Sequence, residues 1–109
     1  MVRNTPMAER VAQFSLPHQV QQAGLGQLDR RIDEALVTEA RRIVLDTSEV
    51  QVIDSASLHW LLALQARLSA AGCELLLARP SPILRDVLLA TRLESRLKIA
   101  DVEGGAARG

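Results

Sequence analysis

Between residues 11 and 16 the chain alternates, with Ala12, Phe14 and Leu16 set against Val11, Gln13 and Ser15, and Pro17 closes the run. A period of two over this length predicts a β-strand. The period then changes. Leu25, Leu28, Ile32, Ala35 and Leu36 recur at helical spacing, with Asp29, Arg30, Asp33 and Glu34 on the other side. This predicts an amphipathic helix over about residues 21–40, weakened at its start by Gly24 and Gly26. Two β-rich runs follow at 42–46 and 50–53, separated by Thr47, Ser48 and Glu49, which supply turn chemistry. Residues 55–71 read as a helix with Leu58, Leu61, Leu62, Leu64 and Leu68 on a broad apolar face and Gly72 as its C-terminal cap. Residues 73–78 form a near-continuous apolar strand of the kind buried on both faces. Ser81 followed by Pro82 reads as an N-cap and first helical position, opening a helix through Ala90. A short helix at 93–97 and an apolar segment at 97–100 complete the pattern.

Strands alternating with helices imply an α/β domain, with a mixed, mostly parallel sheet of four to five strands packed by about four helices. The stretch 50–78 reads as a right-handed crossover unit. Leu45, Val52, Ile53, Leu61, Leu62, Leu75 and Leu77 are the expected core, from their places on central strands and on the helix face between them. Residues 1–9 are expected to be flexible, 10–101 to form the domain, and 102–109, rich in glycine and alanine, to be a disordered tail.

Composition narrows the function classes. The 109 residues carry 13 Lys+Arg against 13 Asp+Glu, so there is no basic surplus of the kind that releases counterions from nucleic acid. Aromatic content is 2%, confined to Phe14 and Trp60, which leaves no series of stacking platforms for bases. Cys73 is the one cysteine, and His18 and His59 lack metal-ligand spacing, so neither a disulfide nor a metal site is expected, nor any cofactor. No apolar run approaches the roughly 20 residues that span a bilayer. The start of the chain has no apolar stretch after its charge, and a cytoplasmic protein without direct membrane insertion is expected.

Enzyme signatures are missing. Gly24 and Gly26 are too short a motif for a phosphate loop, and neither Ser55 nor Ser57 is flanked by glycines as in a nucleophile elbow. His59 follows Ser55 by four residues, but a serine–histidine pair on one helix face is more often accident than catalysis. Attention falls instead on Asp54 and Ser55, where a strand gives way to a helix whose first-turn N–H groups are free. Two readings stay open: a helix cap, or a regulatory site at an exposed helix start. Trp60 is likewise either a binding hot spot near the boundary or a side chain packed under the first helix. His59 is expected at the surface, and Cys73 as a small core residue.

The run Ile43-Val-Leu-Asp46, then Val52-Ile-Asp-Ser-Ala-Ser-Leu58, Leu75 to Leu77 after Gly72, Pro80-Ser-Pro82 and Val87-Leu-Leu-Ala-Thr-Arg-Leu93 resembles the STAS domain of bacterial anti-sigma factor antagonists. The likeness is good over residues 42–100 and loose over 11–40. It implies partner switching: binding to an anti-sigma factor kinase, ended by phosphorylation at the loop–helix junction. The family pattern there is Asp-Ser-Ser-Gly-Leu. Aligned on Asp54 and Ser55, the phosphorylated serine is replaced by Ala56 and the glycine by Ser57, so the usual acceptor is absent. Ser57 and Ser55 are then the candidate acceptors, Ser57 ahead because Ser55 is expected to cap the helix. A constitutive binder is the competing outcome. The family's later Thr-Gly-Leu stands here as Thr91-Arg92-Leu93, which implies a strained residue or a different turn.

A second STAS type, the small cytoplasmic subunit of phospholipid-transporting ABC importers, carries Asp-Thr-Gly-Gly-Leu. It has a hydroxyl at the place of Ser55 and none at that of Ala56, as here. The resemblance therefore implies a non-catalytic protein, a monomer or weak dimer, that binds an anti-sigma factor kinase or, alternatively, an ABC transporter ATPase subunit. Asp54, Ser55, Ala56, Ser57, His59 and Trp60 are the implied contact residues.

Overall fold

Three helices end the same way, and that explains much of how the chain turns. The structure, a computed structural model, describes residues 10–100; the flexible N-terminus and disordered tail expected at 1–9 and 102–109 lie outside them. Helix α1 spans Gly26–Val37, α2 spans Ser55–Ala70 and α3 spans Pro82–Ala90. Just past each last turn stands a left-handed residue: Glu39 (φ 67°), Gly72 (φ 76°) and Arg92 (φ 62°). After α2 the Cys73 N–H reaches Leu68 O at 2.8 Å and the Gly72 N–H reaches Ser69 O at 3.0 Å, a Schellman closure. After α1 the Ala40 and Glu39 N–H groups reach Ala35 O and Leu36 O in the same pattern. Glycine takes this conformation at no steric cost, whereas Glu39 and Arg92 do not. The turn at Arg92 is thus the strained alternative of the two its sequence allowed.

The main sheet has four strands in the order β1 (Val11–Ser15), β3 (Arg42–Asp46), β5 (Glu74–Ala78), β6 (Lys98–Ala100), all pairings parallel. Phe14, Leu45, Leu77 and Ile99 stand in register across it. On β3 and β5, Ile43, Leu45, Leu75 and Leu77 are buried while Val44 and Leu76 are half-buried. β5 therefore puts only one face fully into the core, not both as its unbroken apolar run suggests. Ile32 of α1, Leu61, Leu64 and Leu68 of α2, and Leu84 and Leu88 of α3 fill the same core.

Four expectations are corrected. The predicted helix at 21–40 is split, a single 3-10 turn at Gln22–Gly24 preceding α1, because the chain bends at Leu25 between the two glycines. The run at 50–53 shrinks to β4 (Val52–Ile53), which pairs not with the main sheet but with β2 (Gln19–Val20), a strand the pattern did not predict. The crossover flanking α2 therefore joins β3 to β5. The cause lies at Thr47, fully buried, whose N–H and hydroxyl both donate to Ala78 O, at 2.9 and 3.0 Å. That anchor ends β3 and turns the chain aside, and the Gln51 and Val52 N–H groups then donate to His18 O. Off the main sheet, Val52 is 49% exposed and Ile53 half-buried, and Leu62 is also only half-buried, so three of the seven expected core residues are not enclosed.

Candidate functional site: the first turn of α2

Asp54 precedes α2 in extended conformation (φ −89°, ψ 167°) and its carboxylate accepts the Ser57 N–H at 2.8 Å. The cap is Asp54, not Ser55. Its other oxygen faces the Gln22 N–H at 3.4 Å, and its own N–H donates to Val20 O at 3.2 Å. Hydrogen bonding from Ser57, hydroxyl first and backbone second, holds the Asp54 carboxyl below the usual range. The Ser57 hydroxyl donates to Val20 O at 3.2 Å.

This arrangement decides which side chains are on offer. Ser57 is fully buried and stitched to β2, the reverse of the accessibility its place in the first turn suggests. Ser55 and Ala56 are exposed, and His59, one turn on, is exposed too. Trp60 is half-buried against the core, and its indole N–H donates to Asp29 of α1 at 3.2 Å. Arg67 reaches the same Asp29 oxygen at 3.1 Å and Asp33 at 3.3 Å. Trp60 thus packs against the first helix while part of its ring stays in solvent. Of the six candidate residues, Asp54, Ser55, Ala56 and His59 share an exposed surface, while Ser57 and Trp60 hold it in place.

Val20 and Gln22, which no sequence pattern marks, and the expected cap residue Ser81 complete the frame. Val20 and Gln22 brace the start of α2 from β2 and the following turn. Ser81, fully engaged as the cap of α3, donates its hydroxyl to Val50 O at 2.6 Å and accepts the Leu84 N–H at 3.1 Å. The expected N-cap role of Ser81 is what the structure contains. These bonds fix the start of α3 beside β4, where Val52 and Ile83 (41% exposed) leave apolar surface near the start of α2. At the end of β3, burial raises the Asp46 carboxyl, but the Ser48 backbone and the Arg79 guanidinium outweigh it and leave it lowered. Cys73 is buried and its thiol is pushed up by desolvation, which suits a core residue rather than a nucleophile. Among the described residues no cluster of three or more histidine, cysteine or carboxylate side chains is placed to hold a metal, and no helix is long and apolar enough to cross a membrane.

The parallel sheet, the detached β2–β4 pair and the capped start of α2 are the frame against which the chain compares with known proteins. The STAS domain family model matches residues 4–106. The chain belongs to the STAS domain family. Among solved structures, that titled as the anti-sigma factor antagonist SpoIIAA in its unphosphorylated form is similar to this STAS domain, with a TM-score of 0.67 and 22% identity over 94% of this chain and 91% of that one. At that identity the likeness establishes the fold. Comparison with curated proteins finds no match.

Proposed function

We propose that this STAS domain is a non-catalytic regulatory protein of the antagonist type, which docks an anti-sigma factor kinase in the cytoplasm through the first turn of α2. One observation carries the reading. The exposed side chains there, Asp54, Ser55, Ala56 and His59, sit on a turn closed by the Asp54 cap and held from below by Ser57 and Trp60, so the surface is presented on a braced backbone. Preorganisation of this kind lowers the entropy lost on association. Nothing in the turn provides an acid–base pair within an enclosed cavity.

If a phosphate ends binding, Ser55 is the acceptor this geometry supports, because its side chain is exposed while Ala56 has no hydroxyl and that of Ser57 is buried. A phosphate at the first helical position would place negative charge on the docking surface and oppose the partner by repulsion and desolvation. The experiment is titration calorimetry of the purified chain against the anti-sigma factor kinases of its source organism, with Ala56→Arg and His59→Ala as interface variants. Binding to one kinase that both variants weaken, with folding intact, supports the reading; a kinase complex indifferent to both removes the α2 surface from it.

The hydroxyl at Ser55 beside Ala56 also favours a second reading, in which the partner is the ATPase subunit of a phospholipid-transporting ABC importer. The same calorimetry with such ATPase subunits separates the two.

A further inference from the structure

The opposite end of the sheet carries a different chemistry. The N-terminal ends of its four parallel strands lie side by side and bring Arg10, Arg41, Arg42, Glu74 and Lys98 to one edge, with Glu39 lining an adjoining hollow beside Arg41, in a chain whose net charge is zero. Glu74 is already doubly engaged, with Arg42 Nε at 2.9 Å and Lys98 Nζ at 2.6 Å, so that trio keeps a surplus positive charge. Arg10 is taken by the carbonyl of Thr38 at 2.8 Å. Arg41 makes no ion pair among the described residues. It lines a cleft of about 460 Å³ together with Lys98, Glu74, Gln65 and Ser69. The end of α2 borders this cleft, but Leu68 O and Ser69 O are occupied by the Cys73 and Gly72 N–H groups, so neither confronts an incoming anion unpaired.

We propose that this cleft binds a phosphate-bearing anion, held by Arg41 and Lys98 with the Gln65 amide and Ser69 hydroxyl as further donors. A guanidinium and an ammonium facing one cavity suit a group with several acceptor oxygens, and a cation would meet only the one, already paired, carboxylate. The volume lies at the lower end of small-molecule sites and exceeds a bare phosphate, which points to a phosphate ester or a lipid headgroup. The site is separate from the proposed docking surface: along α2, which starts at Ser55, the cleft residues Gln65 and Ser69 lie roughly 15 and 21 Å from that start.

The test titrates the full chain with inorganic pyrophosphate at constant ionic strength near 0.15 M, following backbone amide shifts, and in parallel measures co-sedimentation with phosphatidylglycerol vesicles against phosphatidylcholine vesicles. Saturable shifts at Arg41, Ser69 and Lys98, weakened about tenfold or more in Arg41→Gln and unchanged in Arg30→Gln on the exposed side of α1, identify a soluble phosphate ligand. Vesicle binding lost in Arg41→Gln alone identifies the headgroup instead. Binding by neither probe, or binding that Arg41→Gln and Arg30→Gln weaken equally, overturns the proposal.

Discussion

Introducing a carboxylate at Ser57 and at Ser55 tests the architecture of the α2 start most directly. At Ser57 the new group would lie at a position of 0% exposure, against the Val20 carbonyl 3.2 Å from the present hydroxyl and beside the Asp54 carboxylate that accepts the Ser57 N–H at 2.8 Å. No cation is among these neighbours. Burying an uncompensated charge costs several kcal/mol after relaxation, and the lost hydrogen bond adds about 1 kcal/mol. Against a total stability of about 5–15 kcal/mol for a domain, Ser57→Asp should leave the protein largely unfolded or shift its urea midpoint by several molar. Ser57→Ala removes only the hydroxyl. Val20 O keeps the Asp54 N–H at 3.2 Å, so this variant should lose about 1 kcal/mol. At Ser55 the carboxylate is exposed and meets the positive end of the helix, so Ser55→Asp should lie within about 0.5 kcal/mol of the parent. Urea unfolding followed by circular dichroism, with slopes compared to confirm a common transition, reads all three. If Ser57→Asp proves as stable as Ser55→Asp, the burial of Ser57 and the choice of Ser55 as the accessible hydroxyl are both wrong.

Leu61→Ala, at a fully enclosed position of α2, should cost about 2–5 kcal/mol in the same assay, whereas Val52→Ala, half in solvent on β4, should cost less than about 1 kcal/mol. Arg92→Gly should raise stability by up to about 1 kcal/mol, the relief of left-handed strain exceeding the added chain entropy of glycine; a loss in thermal unfolding would mean that Arg92 makes an interaction worth more than its strain. Trp60→Phe should keep the packing but lose the bond to Asp29, costing about 0.5–1.5 kcal/mol, and Asp29→Asn should shift the tryptophan emission of the folded parent. The carboxyls of Glu74, held down by Lys98 and then Arg42, and of Asp46 and Asp54 all lie below their ordinary values. Their stabilisation is therefore complete above the unfolded values of 3.8 to 4.5 and disappears as pH falls through the folded ones. The urea midpoint should drop below about pH 4.5, and Glu74→Gln should flatten that drop; an unchanged acid limb would exclude the Glu74 clasp as a source of it.

The residues that determine their own local state were legible without a fold. Ser81-Pro82 opens α3, Gly72 closes α2, and the leucines of α2 turn inward, because capping, left-handed closure and amphipathic burial depend on neighbours within a turn or two of chain. The Asp54–Ser55 junction was legible for the same reason. What the tertiary structure alone decided are matters of long-range partnership. Val52 and Ile53 carry the same β-rich signature as Val44 and Leu45, yet the Thr47 anchor to Ala78 diverts them to β2, a two-residue strand too short to carry a period. Ser55 and Ser57 are chemically equal in the sequence; the Val20 carbonyl, 37 residues from Ser57, makes one a buried tie and leaves the other at the surface. Trp60 is tied to the first helix, with part of its ring still in solvent, because Asp29, 31 residues away, accepts its indole N–H. Hydrophobic periodicity records how much of a side chain is to be buried, and it carries no information about which distant polar group will be waiting there.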